Sequence, residues 1–170
     1  MKHAIFSAKI DHENNIIEQS QTMDLLFYHL QSAPLERVLP DLLQKSLDKG
    51  WQAIVETAPQ ERVDALDTML WTFADESFLP HGKSSDPGAE QQPIVLTHEP
   101  DNPNKADIRF FVDSGDVTAH TSYQRLVYIF NGHDEEAVER ARTQWKAAKA
   151  QNITATYWQQ NQAGAWEKKA

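Results

Sequence analysis

The chain predicts an α/β fold, a mostly parallel sheet with helices on both faces, and three observations carry that reading. A strand-like run over 51–57 leads into a helix-like one opened by Pro59 and continued by Val63, Leu66 and Leu70. Short apolar segments over 94–97, 108–112 and 123–130 are separated by turns rich in Pro, Gly and Asn. A long amphipathic stretch follows from Asp134. Strands that alternate with helices imply parallel neighbours, because a parallel pair needs a crossover connection.

Taken in order, residues 3–10 carry Ala4, Ile5, Phe6, Ala8 and Ile10 in a partly alternating run and predict a first strand. From Thr22, the residues Met23, Leu25, Leu26, Tyr28, His29 and Leu30 crowd at helical spacing and predict a helix. Pro34 interrupts it. Leu35, Val38, Leu39, Leu42, Leu43 and Leu47 then predict a second helix stopped by Lys49-Gly50, with Pro40 marking a kink or a late start. The polar stretch 82–93, with Gly82, Pro87, Gly88 and Pro93, reads as a loop, and 100–104 as a turn. Asp134 is placed to cap a helix running to about Ala150. The acidic start of that helix, Glu135 and Glu136, and its basic end, Lys146 and Lys149, suit the helix dipole. Residues 153–158 and 165–168 close the chain as a hairpin.

A length of 170 residues with 40% hydrophobic content fits one domain over 1–170. No apolar run long enough to span a membrane and no signal-like N-terminus are present, so a cytoplasmic protein is expected. Zero cysteines exclude disulfides, thiolate metal sites and cysteine nucleophiles. A formal net charge of −9 disfavours direct nucleic-acid binding, which needs concentrated Lys and Arg against phosphates.

No motif makes a positive case for catalysis or a cofactor. Gly82-Lys83-Ser84 matches the end of a phosphate-binding loop, but Ser77 stands where that loop requires Gly. The seven histidines lack paired ligand spacing, Asp75-Glu76 reads as solvated acids, and no Gly-x-Ser-x-Gly elbow occurs. On the last helix, Ala137, Val138, Ala141, Trp145 and Ala148 should face the sheet, with Arg142, Lys146 and Lys149 along one flank. That flank is either a solvated face or a pocket for an acidic peptide with an apolar end. Trp71, Phe73 and Phe78 stand between core and interface roles; at least one should be buried, and Phe78 is the most interface-like.

Trp71, the run Glu76-Ser77-Phe78-Leu79-Pro80-His81, the pair Trp145-Lys146 and the segment Thr156-Tyr157-Trp158-Gln159 resemble the chi subunit of bacterial DNA polymerase III. The resemblance extends from Leu35 through the C-terminus. It implies a Rossmann-like, non-catalytic, cofactor-free accessory subunit that bridges two partners: the psi subunit of the clamp loader and the acidic C-terminal tail of single-stranded DNA-binding protein. It carries the tail-binding role to Phe130, Asn131, Arg142, Trp145 and Lys146, and the psi-binding role to Trp71, Phe78, Leu79 and Pro80, a surface an accessory helicase also uses. Val138 stands where some members carry a basic residue, which would shift charge recognition to Arg142, Arg140 or Lys146. The alternatives are a small nucleotide-dependent or hydrolytic α/β enzyme with a disguised motif, and a structural partner protein with no tail binding.

Overall fold

The computed structural model describes residues 6–10, 16–20, 23–73 and 78–170, the first two spans by backbone alone. Strands β1 (Phe6–Ile10) and β2 (Ile16–Ser20) pair antiparallel as a two-stranded sheet, with Phe6 opposite Ser20 and Ile10 opposite Ile16. The strand expected over 3–10 is therefore seen from Phe6 onward; Ala4 and Ile5 lie outside the described residues, as do Asp75 and Glu76.

The main sheet has eight strands: β3 (Asp24–Leu30), β4 (Ala53–Glu56), β5 (His81–Lys83), β6 (Ile94–Thr97), β7 (Ile108–Val112), β8 (Arg125–Asn131), β9 (Ala155–Gln160) and β10 (Trp166–Lys168). Their order is β10-β9-β3-β8-β7-β4-β6-β5, and every neighbouring pair is parallel except β9 with β10. Among the described residues three α-helices connect them: α1 (Leu35–Asp48), α2 (Gln60–Thr72) and α3 (Glu135–Ala150).

The sheet is covered on both faces, as the strand–helix alternation predicts. Val38, Leu39 and Leu43 of α1 and Val63, Leu66 and Leu70 of α2 pack with Val55, Leu96, Phe110 and Ile129 on one face. Ala137, Ala141 and Ala148 of α3 pack with Phe27, Ile54, Phe111 and Tyr128 on the other. Three alanines let α3 lie close to the strands, and the apolar bulk comes from the strands themselves.

Two expectations are corrected. The segment from Met23 to Leu30 is a strand, inside the sheet between β8 and β9. Leu25 and Phe27 face α3 while Leu26, Tyr28 and Leu30 face α1, so a strand buried on both faces reads as the continuous apolar run that mimics a helix. The second correction is β5: His81-Gly82-Lys83 pairs with β6 at the sheet edge and overlaps the start of the stretch 82–93 read as a loop. A Cβ on Gly82 would come within 3.1 Å of the Gln92 side chain, so the glycine marks a close approach and not a turn.

The helix ends follow their signals. Pro40 lies inside α1, which starts at Leu35 and continues through it. At the other end Gly50 takes φ +80, its N–H donates to Leu47 O, and the Trp51 N–H donates to Ser46 O, a Schellman stop. Asp134 caps α3 by accepting from the N–H groups of Glu136 and Ala137 at 3.0 and 3.3 Å.

Candidate functional site

The flank of α3 beside β9 gathers an aromatic floor and a cationic rim. Trp145 stands edge-on to Phe27 and to Tyr157, with ring centroids 5.4 and 5.8 Å apart. Lys149 Nζ sits 4.7 Å from the Trp145 ring. Tyr157 in turn meets Phe130 at 6.1 Å and His29 at 5.9 Å. Parallel pairing places Phe27 opposite Tyr157 and His29 opposite Phe130, which is why residues far apart in sequence form one floor.

Charge concentrates above that floor. Arg142 is exposed and, among the described residues, pairs only with Glu139, one turn earlier on its own helix, at 2.8 Å. Such a surface pair is worth well under about 1 kcal/mol, so the guanidinium exchanges it readily for another carboxylate. Lys146, one turn on, is exposed and has no ion pair among the described residues. Burial raises the proton affinity of the Tyr157 hydroxyl, and the charge of Arg142 opposes that rise. Burial also holds His29 below its ordinary value, helped by His133 and Arg142.

The structure sorts the expected residues. Arg142, Trp145 and Lys146 share this flank, and Phe130, 1% exposed, supports it from the core beneath. Asn131 ends β8 and, together with Phe130, lines a crevice of about 520 Å³ at the start of α1, which Arg142, Trp145 and Lys146 do not line. The Asn131 Oδ1 accepts from the His133 N–H at 2.9 Å. Arg140 projects from the other flank of α3, where its Nε donates to Asp113 O at 2.8 Å. His29 and Tyr157 belong to the floor although sequence reasoning assigned neither a site role. Gly132 makes room for the His29 ring, since a Cβ there would lie 2.1 Å from its Nε2.

A second surface lies at the opposite edge of the sheet. Trp71 at the end of α2 and Phe78 beyond it are 53% and 62% exposed, with rings 5.5 Å apart. They are the two large hydrophobic side chains left exposed among the described residues. The other ring of that trio, Phe73, is half-buried against the core. Leu79, 1% exposed, anchors the segment in that core, and Pro80 is half-buried. The buried His81 ring holds the strand end through a 2.6 Å hydrogen bond between its Nδ1 and Leu79 O, and its centroid lies 4.6 Å from that of Trp71, the rings tilted by 47°.

The turn after β3, where a Rossmann-like sheet offers backbone amides to a phosphate, is already filled. The N–H groups of Gln31, Ser32 and Ala33 all donate to Oε1 of Gln160, at 3.1, 3.2 and 3.1 Å. Lys83 is equally committed: its N–H donates to Asp86 and its Nζ to Asp64.

Comparison with known proteins agrees with the sequence resemblance. Residues 23–156 match the family described as DNA polymerase III chi subunit, HolC. Over 103 residues the chain is 25% identical to a protein of Rickettsia prowazekii (strain Madrid E) named probable DNA polymerase III subunit chi. The aligned stretch is 61% of this chain and spans 62% of that relative's length. The match over 23–156 takes in α3 with Arg142, Trp145 and Lys146 and the Trp71–Phe78 surface, and by it the chain belongs to the chi-subunit family of DNA polymerase III.

Proposed function

We propose that this chi-family protein is a non-catalytic replisome adaptor, a single domain over 1–170 that binds the psi subunit of the clamp loader at one edge of its sheet. At the other edge it binds the acidic C-terminal tail of single-stranded DNA-binding protein. The observation that carries this reading is the separation of two chemically different surfaces. The apolar Trp71–Phe78 pair lies by β5, and the cationic Arg142–Lys146 rim lies by β9. Six strand steps of about 4.8 Å part β9 from β5, roughly 29 Å in all, and the two surfaces also belong to helices on opposite faces. Both partners can therefore be held at once. An accessory helicase that uses the psi surface would compete with psi and leave the tail site free.

At the α3 flank, the terminal carboxylate of the tail takes the fork of Arg142, displacing Glu139, and Lys146 meets its acidic residues. The last apolar ring of the tail lies against Trp145 and Tyr157. The pairing is exposed, so salt weakens it. A net charge of −9 suits a protein that reaches DNA through another protein. The occupied amide turn at Gln160 favours this reading over a nucleotide-dependent enzyme. Calorimetric titration of the Arg142→Ala variant with a tail-like acidic peptide tests the assignment. About a tenfold or greater loss of affinity is expected for removing a charge-assisted contact. Unchanged affinity would remove the tail from α3.

A further inference from the structure

A third surface combines aromatic rings with positive charge, and neither proposed partner uses it. It is a groove of about 540 Å³ between α1 and the sheet face built by β3, β8 and the β9–β10 hairpin. Its apolar walls include Tyr28, Trp51 and Trp166, and the Tyr28 and Trp166 rings meet edge-on at 4.8 Å. Four cations line the same space, Arg37, Lys45, Lys49 and Arg125. Lys49 Nζ lies 4.8 Å and the Arg125 guanidinium 5.2 Å from the one Trp51 ring, and Lys45 joins them from the preceding turn of α1. Asp24 and Asp41 answer only part of that charge, 3.3 Å from Arg125 and 3.0 Å from Lys45. Lys49 has no ion pair among the described residues, and Arg125 Nε is buried without a hydrogen-bond partner.

We propose that this groove receives a short acidic segment of a partner protein, its carboxylates on Lys45, Lys49 and Arg125 and an apolar side chain among Tyr28, Trp51 and Trp166. Charge complementarity names the occupant. On a chain of net charge −9 the cations gather here unbalanced, and a carboxylate relieves the repulsion between Lys49 and Arg125. That repulsion, added to burial, holds the Lys49 ammonium below its ordinary value. The volume holds a few side chains, which suits a short segment. An extended polyphosphate would run beyond the groove along a chain of net charge −9. The site is distinct from the α3 flank: along β3, Tyr28 faces α1, whereas Phe27 and His29 belong to the α3 side. One of its walls, the hairpin strand that bears Trp166, lies beyond the residues 23–156 matched by the family.

The test uses the full chain with ¹⁵N-labelled tryptophan and a hexapeptide of four glutamates around a Leu-Phe pair, blocked at both ends to deny Arg142 a terminal carboxylate. The indole N–H signals of Trp51 and Trp166 should shift on titration while that of Trp145 stays. Lys45 and Lys49 are exposed, so the double variant Lys45→Ala/Lys49→Ala keeps its fold and should bind about tenfold more weakly, whereas Arg142→Ala should bind as the parent does. Unmoved Trp51 and Trp166 signals, or equal affinity in the double variant, would overturn the proposal. So would displacement of the peptide by a ten-nucleotide oligothymidylate, which assigns the groove to nucleic acid. A doubling of mass in sedimentation that the double variant abolishes would assign it to a second copy of the chain and likewise overturn it. Loss of tail binding in Arg142→Ala bears only on the α3 site.

Discussion

The Tyr157 hydroxyl and Nδ1 of His29 lie 2.6 Å apart, across 128 residues of sequence, and tie β9 to β3, both within reach of the Arg142 charge. Nε2 of the same ring is buried without a partner, so this hydrogen bond is the ring's whole polar satisfaction. Tyr157→Phe should therefore destabilise the protein by about 1–3 kcal/mol, measured by urea unfolding. Adding His29→Phe should recover part of that loss, because removing both polar partners leaves nothing unsatisfied.

The same burial gives a pH dependence with a definite sign. Burial is the largest cause holding His29 and His120 below their ordinary value of 6.5. The unfolded chain then binds more protons than the folded one as pH falls below 6.5, so stability is full above that value and declines as pH drops through the folded values. Thermal unfolding should show a lower midpoint at acid pH than at neutral pH. NMR titration of the two rings should give values below 6.5 for both; a value at or above it for either ring would contradict the burial account.

Gln160 is 2% exposed and holds three consecutive N–H groups with one oxygen. Gln160→Ala should cost about 1–3 kcal/mol in chemical denaturation, because it orphans partly buried donors. Gln160→Glu should preserve or raise stability at neutral pH, since an ionised carboxylate accepts more strongly from the same amides. A Glu variant as unstable as the Ala variant would mean that the turn is held by other contacts.

Trp71 and Phe78 support little of the fold, being mostly in solvent. Trp71→Ala and Phe78→Ala should leave the unfolding midpoint almost unchanged, within about 0.5 kcal/mol. Each should cost about 2 kcal/mol or more in psi binding, read by co-purification and calorimetry, as paired aromatic anchors do at interfaces.

Much of this was legible in the sequence because local signals agreed with tertiary ones. Gly50 and Asp134 each mark a helix end that the backbone observes, and the small face of α3 could be read from the spacing of Ala137, Ala141 and Ala148. β3 was misread because burial on both faces erases the alternation that distinguishes a half-buried strand from a helix. His29 and Tyr157 were invisible as partners, since only the strand order brings them together. Arg109 hid in the apolar run of β7, yet it is fully buried. It donates to Glu56 through both Nε and Nη2, to the carbonyls of Glu99 and Asp101, and to the Tyr123 hydroxyl. Spacing cannot foretell a buried guanidinium satisfied by loops that fold over it.

The most direct test of the adaptor account is titration of the ¹⁵N-tryptophan-labelled protein with an acidic peptide ending in an aromatic residue and a free carboxylate, beside its C-terminally amidated copy. The account predicts that the free-acid peptide shifts the Trp145 indole signal with micromolar affinity, about −8 kcal/mol. Amidation or Arg142→Ala should abolish most of that response. Equal binding of the two peptides, or a bound free-acid peptide that leaves Trp145 unmoved, would contradict it.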